Sequence, residues 1–367
     1  MSRLLVLLLL PLTIGTILLV RNGLGKPHDI MTNPVPVRYR VAHDQGPEPR
    51  PDDIHFGVEA PLLHDQSSSV GKILHQLGNA AVAGQYGIAA DQKKFLAVLA
   101  GEPAADALAI DPPLLYFDED HRPHLDRFGD RTYEPHRDQT LATLALLGIP
   151  SHFKFRAAPA QATIADLIRI VRDDFHLDDE LEWSAVALAC YAPTRSPWIN
   201  RWGKSFSFDD IVNRLLARPY GTGTCAGSHT LTTLAILEQV DEQVPIWGDG
   251  LRDRVDEYLA GAVQRLQDHQ RTTGYWTPDW PVPLADPTSE RYDKDLFGET
   301  PLVLATGHHL EWTSLLPEAR SLSRPARERA AAWCAMALRN ATKAQIAQDF
   351  CPYSHCYRSA LLHHRPQ

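Results

Sequence analysis

The chain has 367 residues, 44% of them hydrophobic, and its 36 basic and 45 acidic side chains leave a net charge of −9. That acidic balance, with no basic block, argues against a nucleic-acid partner, while the apolar fraction suffices for a large core. The five cysteines, Cys190, Cys225, Cys334, Cys351 and Cys356, form no regular framework. An odd count leaves at least one thiol free or paired outside the chain.

Residues 4–20 carry no charge and lie between Arg3 and Arg21. As a helix they would rise about 25 Å, against roughly 30 Å for the hydrocarbon core of a bilayer. No small-x-small cleavage site follows. Residues 1–26 therefore read as a signal-anchor, with a cleaved signal peptide as the alternative, and the remainder is expected on the extracytoplasmic side of a membrane. Residues 27–66 are rich in Pro, Asp, His and Arg and read as a spacer.

From residue 67 to the end the pattern is helical. A first pair is expected near 70–86 and 92–100. Apolar helices follow at about 139–147, 180–191, 225–240, 302–316 and 355–363. Amphipathic ones lie between them: Ile164-Leu167-Ile168-Val171, Phe208-Ile211-Val212-Leu215-Leu216, a stripe over 253–271, and Ala326-Ala330-Trp333-Ala337-Leu338. Strand signals are nearly absent. Helices that alternate between wholly apolar and one-faced suit a double layer, in which inner helices are buried all round and outer ones show one face to water. The expected fold is all-α, an α/α toroid of five to six helical hairpins over 67–367.

The polar residues that stand out fall near the predicted starts of the apolar helices: His136 and Gln139, Glu182 with Trp183, Cys225 with His229, His308 with Glu311 and Trp312, and His355. On a ring, those ends would surround one cavity mouth. Orphan backbone N–H groups there would favour an anionic or polyhydroxyl ligand. His308 and Glu311 are the expected catalytic acid–base pair, because an imidazole can take and return a proton near neutral pH and a carboxylate can orient it. His229, His355 and Glu182 are expected to assist, and His136, Gln139, Trp183, Trp276 and Trp312 to contact substrate. Cys225-x3-His229 has the composition of a zinc half-site that His308 or the His355-Cys356 pair could complete. One such spacing defines no metal centre, and none is assigned.

Two segments resemble known families. Gln270-Arg-Thr-Thr-Gly-Tyr-Trp276 resembles the Gln-Trp repeat of squalene–hopene cyclases and their prenyltransferase relatives, in which Gln and Trp tie an outer helix to the following turn. The acidic Asp-x-Asp-Asp motif of the cyclases is not visible, so this resemblance bears on the ring rather than on terpene chemistry. Gly307-His308-His309-Leu310-Glu311-Trp312 is similar to a segment of the N-acylglucosamine 2-epimerase family, itself an α/α ring. The resemblance implies active-site roles for His308 and Glu311, and a later match implies them for His355 and Arg358.

The expected function is thus a membrane-tethered enzyme using His/Glu acid–base chemistry on a carbohydrate-like substrate or glycan, without a required cofactor. The alternatives are a terpenoid-type ring and a non-catalytic toroidal binding module.

Overall fold

The computed structural model describes residues 30–40, 70–85, 92–102, 113–125, 127–128, 131–132, 134–283 and 290–363. The expected leader and most of the expected spacer lie outside these residues. Among the described residues the protein is mostly helical, with thirteen α-helices and four short two-stranded hairpins. No helix among them is long and apolar enough to cross a membrane.

Six helices carry burial on nearly every side: α1 (Val70–Gln85), α3 (Gln139–Leu146), α5 (Glu182–Tyr191), α7 (Ser228–Gln243), α10 (Glu299–Thr313) and α13 (Phe350–His363). In α5 every residue except Trp183 is buried. These helices pack in series, α1 on α3, α3 on α5, α5 on α7, α7 on α10, α10 on α13, and α13 back on α1.

The one-faced helices lie against them. α2 (Gln92–Leu99) packs on α1, α4 (Ile164–Asp173) on α5, α6 (Phe208–Leu216) and α8 (Leu251–His269) on α7, and α11 (Arg324–Asn340) on α10 and α13. The predicted stripes are the buried faces: Ile164, Leu167, Ile168 and Val171 in α4, and Val255, Leu259, Ala262, Val263 and Leu266 in α8. Each Val, Leu or Ile side chain among them contributes about 1.5–3 kcal/mol when taken out of water. Capping boxes fix two starts, Thr163 with Asp166 for α4 and Ser207 with Asp210 for α6, so orphan N–H groups are satisfied from within the sequence. Two short helices, α9 (Glu290–Phe297) and α12 (Lys343–Gln348), complete the set.

The tightest crossing is that of α10 on α13. A Cβ on Gly307 would fall 2.6 Å from the Cys356 amide nitrogen, so only glycine lets the two backbones come so close. Ser359 then donates to the Gly307 carbonyl at 2.7 Å.

Gln270, at the C-terminal end of α8, donates to the carbonyls of Gly274 at 2.9 Å and Ala326 at 2.8 Å, tying α8 to the first turn of α11. Trp276 turns back and donates to Leu266 at 2.8 Å. Next to this tie, Arg271 donates through Nε and Nη2 to the wholly buried Asp293, at 2.7 and 3.0 Å, and Tyr275 donates to the same carboxylate at 2.6 Å.

Three features differ from the sequence expectations. Residues 31–40, expected in the spacer, form an extended strap across the ends of the buried helices. Met31 and Val35 donate to the Tyr191 and Cys190 carbonyls that end α5, and Arg40 donates to Ser314 beyond α10. Gln239 of α7 pairs with both the N–H and the carbonyl of Arg38. The physical reason is that helix C-termini carry orphan carbonyls, and an extended segment has donors to offer them. Second, Cys225 lies outside α7, with φ of 50° at Cys225 and 55° at Ala226, so the Cys225-x3-His229 pair does not share a helical face. Third, α10 begins at Glu299, which puts His308 in its third turn and Glu311 in its last rather than at its start. The hairpin of Lys154–Ala157 with Ala160–Thr163 had no alternating signal because only Phe155 and Ala162 of it are buried.

Candidate functional site

A cavity of about 130 Å³ lies among the six buried helices, and each of them lines it. Imidazoles and one ion pair gather on one part of the wall: His75 from α1, Gln139 from α3, Trp183 from α5, His229 from α7, His308 and Glu311 from α10, and His355 and Arg358 from α13. Aliphatic side chains supply much of the rest, among them Leu146, Leu147, Ile236, Leu315 and, from the strap, Val37.

Glu311 is the centre of the polar wall. Its carboxylate accepts from Arg358 Nε at 3.1 Å and Nη2 at 3.3 Å, from the Tyr39 hydroxyl at 3.0 Å, and lies 2.5 Å from His355 Nδ1. Arg358 Nη2 is also 2.7 Å from His355 Nδ1. Nδ1 can accept from Arg358 Nη2 or donate to Glu311, and the shorter contact, that to the carboxylate, assigns the proton to Nδ1 and the ring's lone pair to Nε2. That nitrogen is buried with no hydrogen-bond partner among the described residues. Burial acts to raise the Glu311 carboxyl, but the Arg358 charge, His308 and the bonds from Arg358 and Tyr39 outweigh it and hold the group below its usual range.

The histidines form a row. His136 meets His229 with ring centroids 4.9 Å apart, His229 meets His308 at 5.1 Å, His308 lies against His355 at 3.6 Å, and His355 meets His75 at 4.9 Å. Burial, with neighbouring positive groups, pushes His229 and His75 down to about 3 and holds His308 and His355 well below the usual imidazole value. These rings are neutral at physiological pH. His229 Nδ1 and His308 Nε2 also lack partners among the described residues.

Of the sequence-predicted residues, the structure brings His308, Glu311, His229, His355, Gln139 and Trp183 to one cavity wall. Glu311 is bonded to His355 rather than to His308, and His308 stacks on His355 instead. His136 stands behind His229, its Nδ1 2.8 Å from Glu180. Glu182 is not in the lining: its carboxylate pairs with Arg218 and accepts from Thr230 at 3.0 Å, joining α5 to α7. Trp276 and Trp312 also stand outside the lining, packed against another buried histidine, His309. Trp312 donates to His309 Nδ1 at 3.1 Å.

Sequence reasoning missed His75 and Tyr39. His75 gave a faint signal, an imidazole inside an apolar helix. Tyr39 gave none, because the strap reads as linker.

Four groups of His, Cys and carboxylate side chains have the donor composition of a metal site, each with its donor atoms within 4.8 Å of one another: Cys225, His229 and His308; His75, Cys351 and His355; His136, Glu180 and His229; and His308, Glu311 and His355.

Comparison with protein-family models, with curated proteins and with solved structures finds no match.

Proposed function

We propose that the six buried helices are the inner wall of an α/α toroid and that its cavity is an active site for a neutral, hydroxylated substrate of carbohydrate type. The closed series of contacts from α1 round to α13, with one-faced helices outside it, supports the ring. The His355–Glu311 pair carries the chemical reading: the carboxylate fixes one tautomer, and the buried Nε2 of this cavity-lining residue, without a hydrogen-bond partner among the described residues, is left to take and return a proton. Glu311 and Arg358 cancel each other's charge, and the imidazoles are neutral, so the wall offers hydrogen bonds rather than net charge. That suits hydroxyl groups on the substrate, and the aliphatic portion suits a sugar's apolar face. The uncharged run at 4–20 supports a membrane tether for this domain.

The test is thermal stability of the full-length protein against a panel of aldoses, ketoses and N-acyl amino sugars, followed by proton NMR of the stabilising sugars in heavy water. The expected result is a raised Tm with at least one sugar and deuterium incorporation next to its carbonyl, the latter lost in His355→Gln. No stabilisation by any sugar sinks the reading. The low basicity of the buried imidazoles favours a second reading, a binding module without catalysis. Stabilisation without deuterium incorporation in the wild type selects it.

A further inference from the structure

We propose that Cys225, His229 and His308 form a three-ligand site for a divalent cation of zinc type, with its fourth position open to the cavity. Their donor atoms lie within 4.8 Å of one another. Tetrahedral zinc, with bonds of about 2.3 Å to sulfur and 2.0–2.1 Å to nitrogen, holds its ligands roughly 3.3–3.7 Å apart. The 4.8 Å limit exceeds that spacing by at most about 1.5 Å. His229 and His308 are each at least nine-tenths buried, and each has a ring nitrogen without a hydrogen-bond partner among the described residues, His229 Nδ1 and His308 Nε2.

The thiol is held from outside the helix. Cys225, Ala226 and Gly227 all have positive φ, at 50°, 55° and 76°. Trp280 fixes this turn by donating to the Ala226 carbonyl at 3.0 Å. A left-handed turn at two residues that bear a Cβ is unfavourable by itself, and its retention next to two unpaired imidazoles matches a placed ligand.

The three rival groups are weaker. In His308, Glu311 and His355, the carboxylate is already occupied by Arg358, Tyr39 and His355. In His75, Cys351 and His355, the Arg358 guanidinium lies against both His355 and the His75 carbonyl and repels a dication. In His136, Glu180 and His229, the Glu180 carboxylate is engaged by His136 and Thr224. Glu180 is nonetheless a fixed negative group within 4.8 Å of His229, and it favours a cation there.

An ion held by these residues would supply a Lewis acid able to polarise a substrate oxygen. That consequence rests on the acid–base reading above; binding of the ion does not.

The experiment is a titration of the chelator-stripped full-length protein with cobalt(II) alone, followed by absorbance. One cobalt per chain is expected, with the intense d–d bands of a tetrahedral site and a thiolate-to-cobalt charge-transfer band. The charge-transfer band should vanish in Cys225→Ser and persist in Cys351→Ser. His308→Ala should weaken binding by at least about a hundredfold, since loss of mere outer-sphere partners costs 10–100-fold. As a check that needs no variant, zinc should slow alkylation of Cys225 in the wild-type protein, read by peptide mass spectrometry. Failure to bind cobalt stoichiometrically, a charge-transfer band that follows Cys351, or unprotected Cys225 each overturns the site. None of these outcomes depends on a sugar, so failure of the metal site and failure of the substrate reading are separable.

Discussion

Arg358 serves three of the buried helices from one guanidinium. It binds Glu311 on α10, the His75 carbonyl and Asn79 on α1 at 3.3 and 3.1 Å, and it lies beside His355 on its own helix. Gly78 makes the room, since a Cβ there would come within 3.0 Å of Arg358 Nη1. Removing the cation leaves a buried carboxylate without its counter-charge. Arg358→Ala should therefore destabilise the protein by about 3–5 kcal/mol, measured as a lower urea midpoint, whereas replacing both partners by apolar residues should cost less. If the single variant unfolds at the wild-type midpoint, Glu311 is not held as described. The imidazoles give a second residue-scale expectation. His229 titrates near 3, so ligand binding that uses its neutral form should be flat from about pH 5 to 8. A loss of affinity centred near pH 6.5 would contradict it.

Among elements, α10 and α13 matter most because they carry His308, Glu311, His355 and Arg358. Their separation is set at Gly307. Gly307→Ala should force the pair apart and lower stability by roughly 1–3 kcal/mol, read as a fall in Tm, with ligand or cobalt affinity falling in parallel. The one-faced helices were legible from their stripes to within a residue or two, because a one-faced helix writes its period into the sequence. Val255, Leu259 and Leu266 are buried as α8 predicts. The helices buried on nearly every side were legible only as apolar runs. The starts of α1 and α3 were read correctly, but with no polar face to mark phase those of α5, α7, α10 and α13 were displaced by two to five residues, and α10 lost its first turn. His308 and Glu311 were still found, because polar side chains inside an apolar helix are unusual wherever it begins. The pairing of Glu311 with His355 rather than His308 was not readable, since it depends on how two helices 44 residues apart cross.

For the whole molecule, the buried imidazoles imply acid lability. His75 and His309 sit near 3 in the fold because burial disfavours their charged forms; the unfolded chain protonates them near 6.5. The unfolded state thus binds more protons below that value. Stability should be full above about pH 6.5 and fall progressively toward pH 3, followed by tryptophan fluorescence or circular dichroism. For His75 the neighbouring Arg358, His229 and His136 add to the effect and Glu311 opposes it. A midpoint unchanged between pH 7 and 4 would refute it.

The strap has a consequence for how the chain folds. Its partners are distant in sequence: Arg38 to Gln239 spans 201 residues, and Tyr39 to Glu311 spans 272. Closing such loops is slow, and the strap's acceptors exist only once α5, α7 and α10 stand side by side. The first of the described residues are therefore the last to find their place. The floor of the cavity, with Val37 and Tyr39, is laid after the walls. In a pulse-labelling experiment the amides of Val35 and Arg40 should gain protection after those of α5 and α7, and in the native protein they should be the first of these to exchange.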